Sequence, residues 1–106
     1  MDKVIRDGKV AILYSPNYGA GWYTWSHKSE DDGKCLFHPD VVAWVEAGKP
    51  LDIVPDFKQL FGDGFYAGGA GNLTIEWLPV GTKFRIDEYD GFETVVIETD
   101  LVWWVA

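Results

Sequence analysis

From Leu73 onwards the sequence alternates between apolar and polar residues, and this period of two is typical of half-buried β-strands. Three runs share the alternation, and their aligned apolar positions are Leu73, Ile75 and Trp77, then Phe84 and Ile86, then Val95 and Ile97. Asp90-Gly91, between the second and third runs, strongly favours a two-residue hairpin turn. With a last apolar run over residues 101–105, the pattern predicts a meander of about four antiparallel strands.

The first half of the chain predicts a hairpin followed by two short helices. Asp7-Gly8 lies between two strand-like runs and tolerates the positive φ of a tight turn. Pro39 suits a first helical position and Gly48 a helix end, so they bound a helix of about nine residues. Residues 55–62 predict a second, shorter helix, because three of their apolar residues share a helical face.

These elements predict a single α+β domain over residues 1–106. Its antiparallel sheet combines the N-terminal hairpin with the C-terminal meander of about four strands, and two short helices cover one face. The hydrophobic fraction of 47% excludes the disordered class. Cys35 is the one cysteine, which fits a reducing cytoplasm, and no apolar run approaches the roughly 18 residues of a membrane span. We therefore expect a cytoplasmic protein with no membrane partner.

The charge of the chain is strongly acidic, with 17 acids against 9 bases and a net charge of −8. A phosphate backbone would be repelled at long range, so direct nucleic-acid binding is disfavoured, whereas a basic partner would be attracted. On the strands we expect an acidic outer surface that carries Glu76, Asp87 and Glu93.

The segment of residues 15–25 combines aromatic rings with glycine and proline, which suit neither a helix interior nor a central strand. Its rings are Tyr18, Trp22, Tyr23 and Trp25. Such rings pack in a core, anchor a protein interface or stack on a small ligand. A second loop, residues 62–72, contains five glycines and includes Tyr66, Gly68 and Gly69. Its glycine amides could cradle phosphate, or its glycines could let backbone segments pass closely.

Residues with catalytic or metal-binding potential occur without a matching motif. Cys35 and His38 are types that form a thiolate–imidazole pair, but Pro39 biases His38 towards an extended conformation that separates them. Zinc-ligand spacing and the phosphate-loop pattern are both lacking. We therefore expect no catalytic residue, no metal and no cofactor, and an enzyme that uses paired carboxylates stays an open alternative.

Several sequence stretches together resemble a group of small uncharacterised accessory proteins of tailed bacteriophages and prophages. These stretches cover residues 13–25, 36–39, 66–69, 75–79, 81–86 and 88–91. The similarity spans about residues 9–106 and implies a phage origin, while it assigns no residue a role. Small acidic phage proteins of this kind often antagonise host enzymes or defence systems.

Two functional hypotheses follow for this chain. In the first, it is a non-catalytic protein of the host cytoplasm that binds and antagonises a host protein with a basic surface, by loop aromatics and an acidic sheet. In the alternative, the two glycine- and aromatic-rich loops close over a small nucleotide ligand. The binding residues would be Tyr18, Trp22, Tyr23, Trp25, Tyr66, Gly68 and Gly69. The oligomeric state stays open, a homodimer included.

Overall fold

Strand β2, Lys9–Tyr14, lies at the centre of the fold, and its four middle residues are buried. The computed structural model describes residues 3–25, 33–97 and 105–106. Ala11 and Leu13 point into one hydrophobic core, whereas Val10 and Ile12 point into a second core on the opposite face. Because successive side chains of a strand point to opposite faces, a strand between two cores requires a continuous apolar run.

β2 has an antiparallel neighbour on each side. β1, Ile5–Arg6, joins it through a turn at Asp7 and Gly8, whose φ values of 51° and 76° are those of a tight hairpin turn. β3, Thr74–Pro79, lies on the other side of β2 and completes a three-stranded sheet. The predicted N-terminal hairpin is confirmed.

β4, Phe84–Tyr89, and β5, Phe92–Ile97, form a second sheet of two strands. Their turn at Asp90-Gly91 has φ values of 52° and 86°, which confirms the predicted hairpin. Apolar residues of both strands cover the second core, and these are Phe84, Ile86, Val95 and Ile97.

The α+β class is confirmed, but the described strands do not form one continuous meander. β3 pairs with β2 rather than with β4, because stacking the β4–β5 hairpin over the sheet buries the second apolar face of β2. The predicted strand over residues 101–105 lies outside the described residues except for its last position.

Two helices cover the first core, as predicted. α1, Pro39–Glu46, begins after His38, whose Nδ1 accepts a 3.2 Å hydrogen bond from the Asp40 N–H, and Gly48 follows its end with a φ of 89°. α2, Phe57–Phe61, begins after Asp56, whose carboxylate accepts a hydrogen bond from the Gln59 N–H. The connections include short 3₁₀ turns at Lys34–Leu36, Leu51–Ile53 and Ala70–Asn72. No helix within the described ranges is long and apolar enough to cross a membrane.

Candidate interaction surface

Trp22 is a core residue, although it lies in the middle of the aromatic segment. Its side chain is 0% exposed, and its indole Nε1 donates a 2.7 Å hydrogen bond to the Cys35 carbonyl. Three phenylalanine rings, Phe57, Phe61 and Phe65, meet the indole edge-to-face with centroid distances of 4.9 to 6.1 Å. We call these four residues the Trp22 cluster. The prediction of Trp22 as a binding residue is wrong, because its ring is the centre of the first core.

Tyr18 lies only four residues earlier and is exposed. Its side chain is 65% accessible, and its ring lies edge-on to Tyr89, which is 76% accessible, at a centroid distance of 6.4 Å. Tyr89 is the last residue of β4, so the β4–β5 hairpin brings it to the loop. Phe92, across the turn, also contacts Tyr18, with a centroid distance of 5.0 Å. The two tyrosines therefore form an exposed pair, in which Tyr18 packs on the half-buried ring of Phe92.

Trp25 and Tyr66 form a second exposed pair, with ring centroids 5.4 Å apart. Both rings lie directly against glycine backbone. A Cβ at Gly21 would be 2.6 Å from Trp25 Cδ1, and a Cβ at Gly68 would be 2.3 Å from Tyr66 Oη. Glycine at these positions leaves the space that the two rings occupy. Gly68 thus makes room for a ring.

Glu88 links the β4–β5 hairpin to the second aromatic pair. Its Oε2 accepts hydrogen bonds from the Gly91 N–H at 2.7 Å and from Trp25 Nε1 at 3.2 Å. These two bonds lower the pKa of Glu88, the backbone bond most strongly, so its carboxylate keeps its negative charge to lower pH. We call Tyr18, Trp25, Tyr66, Tyr89 and Glu88 the aromatic surface. Sequence reasoning missed Glu88 and Tyr89, although both directly precede the predicted Asp90-Gly91 turn.

Tyr23 is the remaining predicted ring of the segment. It follows the buried Trp22 and is 37% exposed. Tyr18, Tyr23, Trp25 and Tyr66 are therefore accessible, as the binding hypotheses require, and Trp22 is not.

Glu93 holds the aromatic segment in place from inside the protein. Its carboxylate is 0% exposed and accepts four hydrogen bonds: from the Ser15 N–H to Oε1, and from the Trp22 N–H, the Thr24 N–H and the Thr24 hydroxyl to Oε2. The distances are 2.7 to 3.0 Å. A buried carboxylate is tolerated where several donors satisfy it. The prediction that Glu93 lies on an acidic surface is wrong.

The sequence contained a signal for this inward position. Val95 and Ile97 are the apolar, inward positions of their strand, and Glu93 is separated from each by an even number of residues, which places it on the same face. An acidic residue at an inward position of a strand requires donors nearby, and the glycine-rich aromatic segment supplies them from its backbone.

Two further glycines bring the three segments of the site together. A Cβ at Gly69 would lie 2.3 Å from the Gly21 carbonyl oxygen, and a Cβ at Gly91 would lie 2.7 Å from the Ala20 nitrogen. The Gly19 N–H also donates a 3.0 Å hydrogen bond to the Asp90 carbonyl. The glycine loop and the hairpin tip therefore both touch the backbone of the aromatic segment, and Gly69 is buried by that contact.

The predicted acidic sheet is not assembled. Glu76 lies exposed on β3 in one sheet, and Asp87 lies on β4 in the other, where it forms an ion pair with Arg85 at 2.8 Å. Glu93 is buried. The carboxylates near the exposed rings belong instead to Glu88 and, in the hairpin turn, to Asp90.

Cys35 and His38, the two residues with catalytic potential, both have structural positions. Cys35 is buried, and His38 Nδ1 is engaged as the helix cap of α1. Within the part of the chain that the structure describes, no group of three or more His, Cys, Asp or Glu residues could hold a metal ion.

Comparison of the chain with protein-family models, with curated proteins and with solved structures gives no significant match. Its function is therefore inferred from the geometry of this surface.

Proposed function

We propose that this chain is a non-catalytic phage accessory protein that binds a basic surface of a host protein through its aromatic surface, and thereby antagonises that protein. The observation that carries the proposal is that exposed rings from three separate segments form two pairs beside the β4–β5 hairpin, one through Tyr89 and the other through the contact between Glu88 and Trp25. The resemblance to phage proteins supplies the host setting.

The exposed rings favour a macromolecular partner. Tyr18 and Tyr89 leave most of their surface in water, and Trp25 and Tyr66 more than a third of theirs. Burying a large apolar side chain contributes about 1.5–3 kcal/mol. Tyrosine and tryptophan are also the residue types enriched among the anchors of protein interfaces. Two such pairs beside one hairpin supply anchors for an interface.

Rigidity of the segment favours binding as well. Glu93 holds residues 15, 22 and 24 by backbone hydrogen bonds, and the ring pairs rest on Phe92 and on glycine backbone. A surface that is ordered before binding loses less conformational entropy when it meets a partner.

The local charge favours a basic partner over a nucleotide. Glu88 stays ionised beside Trp25, Asp90 is at the hairpin tip, and the whole chain carries a net charge of −8. Carboxylates at this position repel phosphate and attract lysine or arginine. Gly68 and Gly69 also lie against a ring and a carbonyl oxygen, which supports packing and not a phosphate cradle.

The test is affinity capture from a bacterial lysate with the protein and its Tyr18→Ala, Tyr89→Ala double variant. We expect a partner that the wild type and a Val80→Ala control retain and the double variant loses. Val80 is 59% exposed in the turn that follows β3, so this control removes an exposed apolar side chain outside the aromatic surface.

Ionic strength supplies the second arm of the test. With the purified partner, the affinity should fall between about 50 mM and about 500 mM salt, because screening weakens attraction between exposed charges. Glu88→Gln should reduce this salt dependence. The proposal would be contradicted if the double variant retained the partner as well as the wild type does. It would also be contradicted if the affinity did not change with salt concentration.

A further inference from the structure

We propose that the groove between α1 and α2 is a second binding site, which accepts a basic amphipathic helix of a protein partner. The groove has a volume of about 390 Å³ and is lined by Ala43 of α1, Ala47 at the end of that helix, Leu60 of α2 and Ile53 in the connection. It shares no lining residue with the aromatic surface. This site is therefore independent of the function proposed above.

The apolar character of the groove continues onto the segment beside it. Leu51, Ile53 and Val54 are 90%, 64% and 44% exposed. Three aliphatic side chains within four residues leave an unusual amount of apolar surface in water for one short connection. Ile53 belongs to both the groove wall and this segment, so a ligand seated in the groove would also cover it.

Small residues on α1 and at its end make room for such a ligand. Ala43 and Ala47 are one helical turn apart on the groove side, and both are exposed. Methyl side chains at this spacing leave a shallow channel along the helix, in which aliphatic side chains one turn apart on a second helix can lie.

Charge decides which helix fits. Asp40 and Asp56 line the groove, Asp52 lies in the exposed connection, and the described lining residues include no lysine or arginine. Lysine or arginine residues beside the aliphatic anchors would pair with these carboxylates. The same carboxylates oppose an anionic lipid surface, so the exposed aliphatic residues favour a protein partner over a membrane.

The test is an NMR titration of the ¹⁵N-labelled full chain with a leucine/lysine amphipathic peptide of about 14 residues, which is long enough for roughly four helical turns. We expect saturable shift changes at the amides of Ala43 and Gln59 and at the Trp44 indole. A leucine/glutamate peptide of the same pattern is the charge control, and it should leave these signals unchanged.

Two variants locate the binding. Ile53→Ser should weaken the leucine/lysine peptide by about tenfold, since it removes one aliphatic contact, and Ala43→Arg should abolish binding by filling the channel with a cation. Val80→Ser is the matched control, because Val80 is 59% exposed against 64% for Ile53 and lies outside the groove. The spectra also show whether each variant is folded.

Shift changes confined to residues outside the groove would overturn the proposal. Equal binding of the two peptides, or undiminished binding by folded Ile53→Ser, would overturn it too. Because the aromatic surface contributes no residue to the groove, these outcomes leave the proposed function unaffected, and loss of host-protein capture leaves the groove unaffected.

Discussion

The Trp22 cluster and the aromatic surface use rings from the same short segment for opposite purposes. Trp22 is fully buried among three phenylalanines, whereas Tyr18 and Trp25, within four residues of it, are exposed. The difference lies in what surrounds each ring. The Trp22 indole faces an apolar core and finds a carbonyl for its N–H, whereas the other rings lie on glycine backbone or another ring at the surface. One loop thus combines a structural anchor with a binding surface.

Trp22→Ala should have the largest effect on stability, and it tests the comparison between the Trp22 cluster and the aromatic surface most directly. We expect it to lower the free energy of unfolding by about 3–5 kcal/mol, the usual cost of removing a large buried ring. Tyr18→Ala should cost about 1 kcal/mol, since it loses one exposed ring contact. Chemical denaturation measures both values. Similar losses for the two variants would contradict the division of the segment into a buried and an exposed part.

Glu93→Gln should lower the free energy of unfolding by about 1–3 kcal/mol. All three backbone partners of the carboxylate are N–H donors, so an amide in its place points its own NH₂ at one of them. Glu76→Gln is the control, because Glu76 is exposed on β3, and it should stay within about 0.5 kcal/mol of wild type. Chemical denaturation measures both variants. An unchanged free energy of unfolding for Glu93→Gln would contradict the role of Glu93 in holding the aromatic segment in place.

Gly91→Ala and Gly8→Ala together measure how tightly the β4–β5 hairpin contacts the segment. Both glycines have positive φ in two-residue turns, so alanine at either costs about 1–2 kcal/mol of backbone strain. A Cβ meets nothing within 4 Å at Gly8 but lies 2.7 Å from the Ala20 nitrogen at Gly91. Gly91→Ala should therefore cost about 1 kcal/mol more than Gly8→Ala in thermal or chemical unfolding. Equal losses of stability in the two variants would contradict a close contact between Gly91 and the backbone of the aromatic segment.

The smallest expected effect is on the pKa of Glu88. Its pKa in the folded protein is lowered by the Gly91 N–H and the Trp25 indole, so the stabilisation it provides is present at neutral pH. That stabilisation is lost as the pH falls through the lowered pKa. An NMR titration of the Glu88 carboxyl should find a pKa below its ordinary range. Trp25→Phe should raise it part of the way back, and an unchanged value would contradict the contact between Glu88 and the indole.

Local sequence patterns predicted most elements of the fold. Both hairpins form at aspartate–glycine pairs, because two residues of positive φ match the twist of antiparallel strands. Both helices lie where proline, aspartate and glycine bound them. Each of these signals acts within a few residues and needs no distant partner.

The local patterns did not predict the contacts between segments that are distant in the sequence. Pairing of β3 with β2 depends on burying two faces of one strand, and alternation within β3 says nothing of its neighbour. Trp22 and Tyr18 have the same local surroundings of glycine and aromatic residues, so composition could not separate them. Glu93 has donors that lie 69 to 78 residues away along the chain.

The sequence by itself determined the turns, the helix ends and the apolar faces of the strands, because φ preference and side-chain period are properties of adjacent residues. The tertiary structure alone decided which rings are buried, which carboxylate is internal and which exposed residues meet. Those outcomes depend on hydrogen-bond donors and apolar surface from distant segments, which come together only when the hairpin, the helices and the aromatic segment pack around β2.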